Sequence, residues 1–288
     1  MATAEQETPR WRLIIDSAHG GAANMARDEA LRESVRANAA KMAAATPILR
    51  LYGWQPPCLS LGYGQRARLV DDERCRARGW QVMRRPSGGG ALLHADELTY
   101  CLLLPPGHPL QQGDILSSYA RLRRGLVAGL ARLGVCADAA PADAVAVESA
   151  APNRSEAICY LQPAAQEITV GGRKLIGSAQ LRRRGVLLQH GSLSLAADLT
   201  AIADALHFDA EAERAAAKEE LRRGACSLGE ILGGSLPSWS EAAAALAAGF
   251  AAVFGIRWDE RPFSAAEEAR ARTWAETRYG AAAWTERR

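Results

Sequence analysis

The sequence predicts an α+β fold built on a mainly antiparallel sheet flanked by helices. Its strand-like segments do not alternate regularly with helical ones, as they would in a doubly wound parallel sheet. Two strand-like segments near residue 170 are separated by Gly171-Gly172, a dipeptide typical of a tight antiparallel hairpin. From about residue 199 onwards, the chain has mainly helical patterns.

The predicted strands are short apolar segments bounded by Pro, Gly or Asp. The first strand is WRLIID. Pro56-Pro57 separates the second strand from the third, and the fourth strand runs into a Pro-Ser-Gly-Gly-Gly segment. In chain order the predicted strands are 11–16, 48–54, 58–62, 81–85, 91–94, 98–104, 167–170, a return strand from Lys174, and 186–195.

The predicted helices have apolar residues at helical spacing. The first is Ala-rich and stops before Pro47, because proline interrupts a helix. In chain order they are near 23–44, 71–78, 115–133, 239–254 and 265–279. Residues 137–156 have mixed composition with prolines and are predicted to be a long surface connection. We expect a single domain over residues 1–288, with a helical C-terminal part from about 199 to 288.

Composition limits the possible functions. The chain has 288 residues, of which 48% are hydrophobic and 23% charged, as expected for a globular protein rather than a disordered one. Its net charge of +3 is too small to indicate nucleic-acid binding. The longest apolar stretch, 242–256, is too short to span a membrane. The first ten residues lack the apolar core of a secretory signal, so we expect a cytoplasmic protein.

The six cysteines are not arranged as a metal site. They form no CxxC pair and no cluster with histidine at zinc spacing, so free thiols and no bound metal are expected. Cys159 could be a buried apolar residue or a nucleophile, and a nucleophilic thiol needs an activating cation or base nearby. Lys174 lies fifteen residues further on, across the predicted hairpin.

Lys174 is one of only three lysines in a chain whose other cations are arginines. On a strand it could point to solvent, or into a closed site where an ammonium polarises a carbonyl group. Gly177, Ser178 and Ala179 follow it and leave room for a ligand chain. The nearby His190 belongs either to a polar binding patch or to ordinary sheet-edge hydrogen bonding.

The segment RRPSGGGALLH contains a second candidate site. Its three glycines, Gly88, Gly89 and Gly90, follow Arg85 and Ser87. Glycine amides can approach an anion or a carbonyl oxygen closely, but the segment is neither a P-loop nor a dinucleotide-binding motif. A flexible turn and a ligand loop both remain open, and His94 could be a packing residue or part of a binding wall.

Taken together, these segments resemble the lipoate–protein ligase A/B superfamily, whose catalytic fold is shared with biotin–protein ligases. They are most similar to its LipM-type octanoyltransferases, and the resemblance covers nearly the whole chain. The matching segments are WRLIID, NMARDEA, LYGW, SLGYGQ, RRPSGGGALLH, ELTY, GGRKLIGSAQLRRRGVLLQHGSL and the C-terminal RYG. Cys159 stands eight residues before Glu167, as the acyl-thioester cysteine does in the LipM type, although 164–166 depart from that pattern.

The resemblance implies a biotin/lipoate protein ligase-like catalytic fold and an octanoyltransferase. Octanoyl would pass from octanoyl–acyl carrier protein through a Cys159 thioester, assisted by Lys174, to a lysine of a lipoyl domain. The acceptors would be E2 subunits of 2-oxoacid dehydrogenases or the glycine cleavage H protein. No cofactor, nucleic acid or membrane is implied. The implied substrate-binding residues are Arg85, Ser87, Gly88, Gly89, Gly90, His94, Gly177, Ser178, Ala179 and His190.

Three alternatives remain open at the level of sequence. An ATP-dependent lipoate or octanoate ligase would require ATP and magnesium, with Lys174 contacting the adenylate. An amidotransferase would move octanoyl between lipoyl-bearing proteins, and a non-catalytic binder would form complexes without an acyl adduct. Arginines 182–184 could dock acidic partner proteins or form a solvated strand end.

Overall fold

A computed structural model describes residues 8–41, 45–139, 157–161 and 167–288. Its largest element is a seven-stranded sheet with the spatial order β10-β1-β2-β6-β9-β8-β7. The four pairings from β2 to β7 are antiparallel, whereas β1 pairs in parallel with both β2 and β10. The strands are β1 (Arg10–Ile15), β2 (Ile48–Tyr52), β6 (Glu97–Leu104), β7 (Ile168–Val170), β8 (Arg173–Arg183), β9 (Val186–Ser194) and β10 (Arg257–Glu260).

A second sheet of three strands lies beside the large one. Its order is β4-β3-β5, with β3 parallel to β4 and antiparallel to β5. The strands are β3 (Cys58–Leu61), β4 (Gln81–Arg84) and β5 (Leu92–His94). This small sheet faces the part of the large sheet that carries β6, β9 and β8, and the gap between them contains a mostly apolar cavity.

Helices cover both faces of the large sheet. On one face α3 packs against α6 over a core that includes Tyr100 and Leu102. On the other face α1 packs against α7 over a core that includes Cys101 and Leu103. The helices are α1 (Gly21–Ala40), α2 (Asp72–Ala77), α3 (Ile115–Arg132), α4 (Glu211–Gly224), α5 (Leu228–Leu232), α6 (Trp239–Phe254), α7 (Ala265–Trp274), a π-helical turn (Ala275–Tyr279) and α8 (Ala282–Thr285).

The predicted fold class is confirmed, and most predicted elements agree with the structure within a few residues. The prediction missed β10, which is too short and too polar to show a strand pattern and pairs with the distant β1. The part after residue 199 is therefore mainly, but not entirely, helical. Most of the predicted surface connection, 140–156, lies outside the described residues. No helix within the described part of the chain is long and apolar enough to cross a membrane.

Candidate active site

A short segment, residues 157–161, brings Cys159 against the beginning of β5. The amide of Ala91 donates to the carbonyl of Ala157 at 2.7 Å, and the amide of Cys159 donates to the carbonyl of Ala91 at 2.8 Å. Gly90 makes this approach possible, since a Cβ there would lie 2.6 Å from the Cys159 nitrogen. The third glycine of RRPSGGG is therefore needed for the close contact of two backbones.

Lys174 lies beside Cys159 in the fold. Its Nζ is 3.8 Å from Cys159 Sγ and donates a 2.6 Å hydrogen bond to the Cys159 carbonyl oxygen. The ammonium also forms an ion pair with Glu167. Lys174 is only 3% exposed, so these contacts replace most of its hydration. The tight turn at Gly171-Gly172, where both φ angles are positive, reverses the chain just before Lys174.

Gly177 allows the thiol and the lysine to pack closely against β8. A Cβ at Gly177 would lie 3.4 Å from Cys159 Sγ and 3.1 Å from the Cε of Lys174. Because glycine has no side chain, both groups can approach the strand backbone here. Cys159 and Gly177 also line a cavity, so the thiol and the ammonium meet at its edge.

A mostly apolar cavity extends from this point between the two sheets. The free space in and around it is about 390 Å³, and part of this is open solvent at the mouth. The large sheet forms its floor, on which Gly177, Ser192, Thr99 and Tyr52 are consecutive cross-strand partners. The lining residues are Met25, Tyr52, Trp54, Ser60, Arg85, Leu92, His94, Thr99, Cys159, Gly177, Ser178, Ala179, His190, Gly191 and Ser192.

His94 belongs to a buried hydrogen-bond network in the cavity wall. Its Nδ1 lies 2.7 Å from Glu97 Oε1, and its Nε2 lies 2.8 Å from Ser60 Oγ. Glu97 also accepts hydrogen bonds from Thr99 and Ser192, both at 2.5 Å. With both ring nitrogens engaged, the imidazole has a fixed orientation.

His190 forms a second buried pair, with Ser87. Its Nε2 lies 2.5 Å from Ser87 Oγ, and its Nδ1 lies 3.9 Å from Asp28. Burial lowers the pKa of His190, although the nearby Asp28 carboxylate acts in the opposite direction. The short hydrogen bond between His190 and Ser87 holds the start of the glycine segment against the large sheet.

The sequence-predicted site residues fall into two groups. Six of the predicted substrate-binding residues line the cavity together with Cys159: Arg85, His94, Gly177, Ser178, Ala179 and His190. The other four, Ser87, Gly88, Gly89 and Gly90, do not line it.

The glycine segment is held in place by Arg85. Its guanidinium donates to the carbonyl oxygens of Gly88 and Gly90, both at 2.7 Å, and to that of Ser60 at 3.1 Å. Gly88 and Gly89 are exposed, whereas Gly90 is buried against the cysteine segment. In this structure the glycine carbonyls, rather than their amides, make the contacts that hold the segment.

Sequence reasoning missed several residues of the cavity wall. Met25, Tyr52, Trp54 and Ser60 come from segments far apart in sequence. The hydrogen bond between His94 and Glu97 has a local signal, because Glu97 stands three residues after His94.

In the described part of the chain, no group of three His, Cys, Asp or Glu residues could hold a metal ion.

Comparison with known proteins identifies the family. A family model of the lipoyl protein ligase A/B catalytic domain matches residues 21–251. Octanoyltransferase LipM of Kyrpidia tusciae is 40% identical over 259 residues, which cover 89% of this chain and 92% of that protein. Octanoyltransferase LipM of Symbiobacterium thermophilum is 38% identical over 281 residues, which cover 96% of this chain and 98% of that protein.

Solved structures agree on the fold. A bipartite lipoate protein ligase from Thermoplasma acidophilum, studied with its E2 lipoyl domain, has a TM-score of 0.77 at 24% identity, covering 96% of both chains. A lipoate-protein ligase A bound with ATP has a TM-score of 0.76 at 23% identity, covering 96% of this chain and 98% of that one.

The fold and the family model together define a lipoyl protein ligase A/B catalytic domain, and the chain belongs to that family. Within the family it is an enzyme of the octanoyltransferase type, because the LipM relatives match it at 31–40% identity over most of its length. The resemblance identified in the sequence is thereby confirmed.

Proposed function

We propose that this octanoyltransferase takes octanoyl from octanoyl–acyl carrier protein, holds it as a thioester on Cys159 and transfers it to a lysine of a lipoyl domain. The observation that supports this most directly is the 3.8 Å separation of Lys174 Nζ and Cys159 Sγ at the apolar cavity. We also propose that residues 1–288 act as one catalytic domain.

In the first half-reaction, Cys159 Sγ attacks the carbonyl carbon of the donor thioester. A new carbon–sulfur bond forms, the donor carbon–sulfur bond breaks, and the thiol proton of Cys159 ends on the released carrier thiol. The Lys174 ammonium stabilises the negative charge that develops on the carbonyl oxygen. Its ion pair with Glu167 holds the ammonium in position.

In the second half-reaction, the neutral amine of the acceptor lysine attacks the Cys159 thioester. An amide bond forms, the carbon–sulfur bond breaks, and the proton lost by the amine returns to the Cys159 sulfur. A thioester is already an activated acyl group, so neither half-reaction as written requires ATP or a metal ion.

The cavity supplies the binding energy for the acyl chain. The chain contributes about seven carbon groups beyond the carbonyl, and burial is worth about 0.8 kcal/mol for each. The gross gain is roughly 5–6 kcal/mol before the costs of binding. This is sufficient to discriminate octanoyl from much shorter acyl groups.

The acceptor we propose is a lipoyl domain of a 2-oxoacid dehydrogenase E2 subunit or the glycine cleavage H protein. The Thermoplasma ligase, which shares the fold, was studied with an E2 lipoyl domain. Of the three arginines considered for docking, Arg182 is engaged within the fold, where it donates to the carbonyls of Gly113 and Asp114. Arg183 and Arg184 are exposed at the β8–β9 turn and remain available to an acidic partner.

The test is incubation with octanoyl–acyl carrier protein and a lipoyl domain without nucleotide, followed by intact-protein mass spectrometry. We expect an octanoyl adduct on the enzyme and transfer to the lipoyl domain, both abolished by Cys159→Ala. Cys136→Ala is the matched control, since Cys136 is an exposed free cysteine away from the cavity. Activity that survives Cys159→Ala and requires ATP would instead identify a ligase, and a complex without any adduct would identify a binder.

A second variant tests the role of the ammonium. Lys174→Met should slow formation of the adduct by about 10²–10³-fold, the usual effect of removing one group that stabilises an oxyanion. Lys218→Met is the control, because Lys218 is a half-buried lysine of α4 that pairs with Asp204 and does not line the cavity. An unchanged rate of loading in Lys174→Met would contradict the proposed mechanism.

A further inference from the structure

Four exposed arginines lie around the loop formed by residues 62–65, and together they are called the arginine patch. They are Arg66, Arg68, Arg287 and Arg288. Arg287 donates a 2.8 Å hydrogen bond to the Tyr63 hydroxyl, and its guanidinium carbon lies 4.1 Å from the centroid of that ring. The carbonyl of Arg288 accepts a 2.7 Å hydrogen bond from the amide of Ala67. Within the described residues, none of the four arginines forms an ion pair with a carboxylate.

A fifth arginine, Arg84, is buried beneath the patch and is likewise bonded to neutral groups. Its Nε and one terminal nitrogen donate to the carbonyl of Thr285 at 3.0 and 2.7 Å, and the other terminal nitrogen donates to the carbonyl of Gln65 at 2.6 Å. Burial, together with the nearby charges of Arg287 and Arg288, lowers the pKa of Arg84. Positive charge is therefore concentrated on this part of the molecule.

Two carboxylates stand near the patch in sequence. Glu286 precedes Arg287, and Asp72 follows Arg68 by four residues. Both line a separate pocket, which Ala67 also lines. The five arginines outnumber these two carboxylates, so the surface keeps an excess of positive charge.

The loop joins the arginine patch to the candidate active site. The amide of Tyr63 donates a 2.8 Å hydrogen bond to the carbonyl of Ser87, which begins the glycine segment. The side-chain amide of Gln65 donates a 2.8 Å hydrogen bond to the carbonyl of Ala157, two residues before Cys159. A substrate that contacts the patch is thus bound beside the segment that carries the candidate nucleophile.

The charge of the patch distinguishes between the two protein substrates. An acyl carrier protein presents its thioester on a phosphopantetheine arm, whose phosphodiester is an anion. Guanidinium groups bind phosphate oxygens through charge-assisted hydrogen bonds. The acceptor instead presents a lysine, whose protonated form is a cation that a positive surface repels. The excess of arginine therefore favours the donor over the acceptor.

We propose that the arginine patch is the docking surface for the anionic acyl carrier protein that donates the acyl group. The inference rests on the proposed function, since it requires a carrier-bound donor. The patch acts on the encounter and binding of the donor, whereas the reacting atoms are those of Cys159 and the thioester. Its loss should lower kcat/KM for the carrier-bound donor and leave the reaction of a small, uncharged thioester unchanged.

The experiment compares two charge-reversed double variants, Arg66→Glu with Arg68→Glu, and Arg287→Glu with Arg288→Glu. Intact-protein mass spectrometry follows acyl loading from octanoyl–acyl carrier protein and from octanoyl-N-acetylcysteamine, which has neither a phosphate nor a protein part. For the carrier protein, kcat/KM should fall at least about tenfold in each variant, within the range by which electrostatic steering raises association rates. For the small thioester it should stay unchanged.

The matched control is Arg10→Glu combined with Arg257→Glu. These exposed arginines are paired across β1 and β10, at the edge of the large sheet opposite to β7 and β8. The control makes the same change in net charge far along the sheet from Lys174. Loading of the control from either donor should remain close to that of the wild type.

The outcomes separate this inference from the proposed function. If neither donor loads the wild-type protein, the proposed function fails. If the wild type loads but both patch variants lose no more than the control, the patch does not bind the donor. An equal loss with the small thioester would show that the patch maintains the shape of the site instead. Slower transfer from a preloaded variant to the lipoyl domain, with normal loading from the carrier protein, would assign the patch to the acceptor. Each of the last three results overturns the inference and leaves the proposed function intact.

Discussion

The substitution Gly90→Ala tests whether the glycine segment positions the candidate nucleophile. A Cβ at this position would lie 2.6 Å from the Cys159 nitrogen, 2.7 Å from the Ala157 oxygen and 2.8 Å from the Ile158 carbonyl carbon. All three are backbone atoms, so no side-chain rotation can relieve the clash. The cysteine segment must therefore move away from β5.

The expected loss in the free energy of unfolding can be estimated from the contacts that this movement disturbs. Overpacking of this kind costs about 1–3 kcal/mol. Separation of the segments would also weaken the two hydrogen bonds that Ala91 makes with Ala157 and Cys159, worth about 1 kcal/mol each. We expect Gly90→Ala to lower the free energy of unfolding by about 3 kcal/mol, with a fall in melting temperature of roughly 5–10 °C.

Two measurements check this prediction. Thermal unfolding gives the stability, and mass spectrometry of the folded protein below its transition gives the rate of acyl loading, which should also fall. Gly64→Ala is the control, since Gly64 is exposed and no heavy atom lies within 4 Å of its added Cβ. If Gly90→Ala were as stable and as fast as the wild type, the assigned contact between the glycine segment and the cysteine segment would be wrong.

Two further substitutions test groups that stabilise the fold. Arg85→Met leaves the carbonyls of Gly88 and Gly90 without their donor, so the free energy of unfolding should fall by about 1–3 kcal/mol in urea titration, and acyl loading should slow. Glu267 pairs with Arg12. Burial alone would raise the pKa of Glu267, but its contacts with Arg12 and Ser264 lower this pKa to about 2. Its stabilising effect is complete above about pH 4.5 and is lost as pH falls towards 2, so Glu267→Gln should flatten that part of the stability curve, measured by chemical unfolding at several pH values.

Both substitutions have matched controls on the surface. Arg76→Met removes an exposed guanidinium that donates to the Asp72 carbonyl, so a small effect is expected. Glu220→Gln removes an exposed carboxylate from α4 and should leave the acid limb of the stability curve unchanged. Equal losses in Arg76→Met and Arg85→Met would refute the role assigned to Arg85. An acid limb that is unaltered in Glu267→Gln would refute the ion-pair argument.

Most secondary structure was predictable because it depends on local patterns. The helix at Trp239–Phe254 has the predicted bounds, and the Gly171-Gly172 turn and its two strands follow from turn chemistry. β10 was not predictable, because four residues, none of them fully buried, become a strand only by pairing with β1, about 250 residues away in sequence. The order of strands in the two sheets has the same long-range origin.

Local sequence was sufficient to identify the residue types with reactive chemistry, Cys159 and Lys174, and the order of motifs that is typical of the family. The packing of the chain sets the 3.8 Å between Nζ and Sγ, the support of the cysteine segment by the glycine segment, and the presence of Trp54 in the cavity lining. Reactivity is a property of single side chains, whereas a distance or a cavity wall depends on how separate strands pack. Side chains from β2, β3, β6, β8 and β9 meet at this cavity, and no local pattern in the sequence records their meeting.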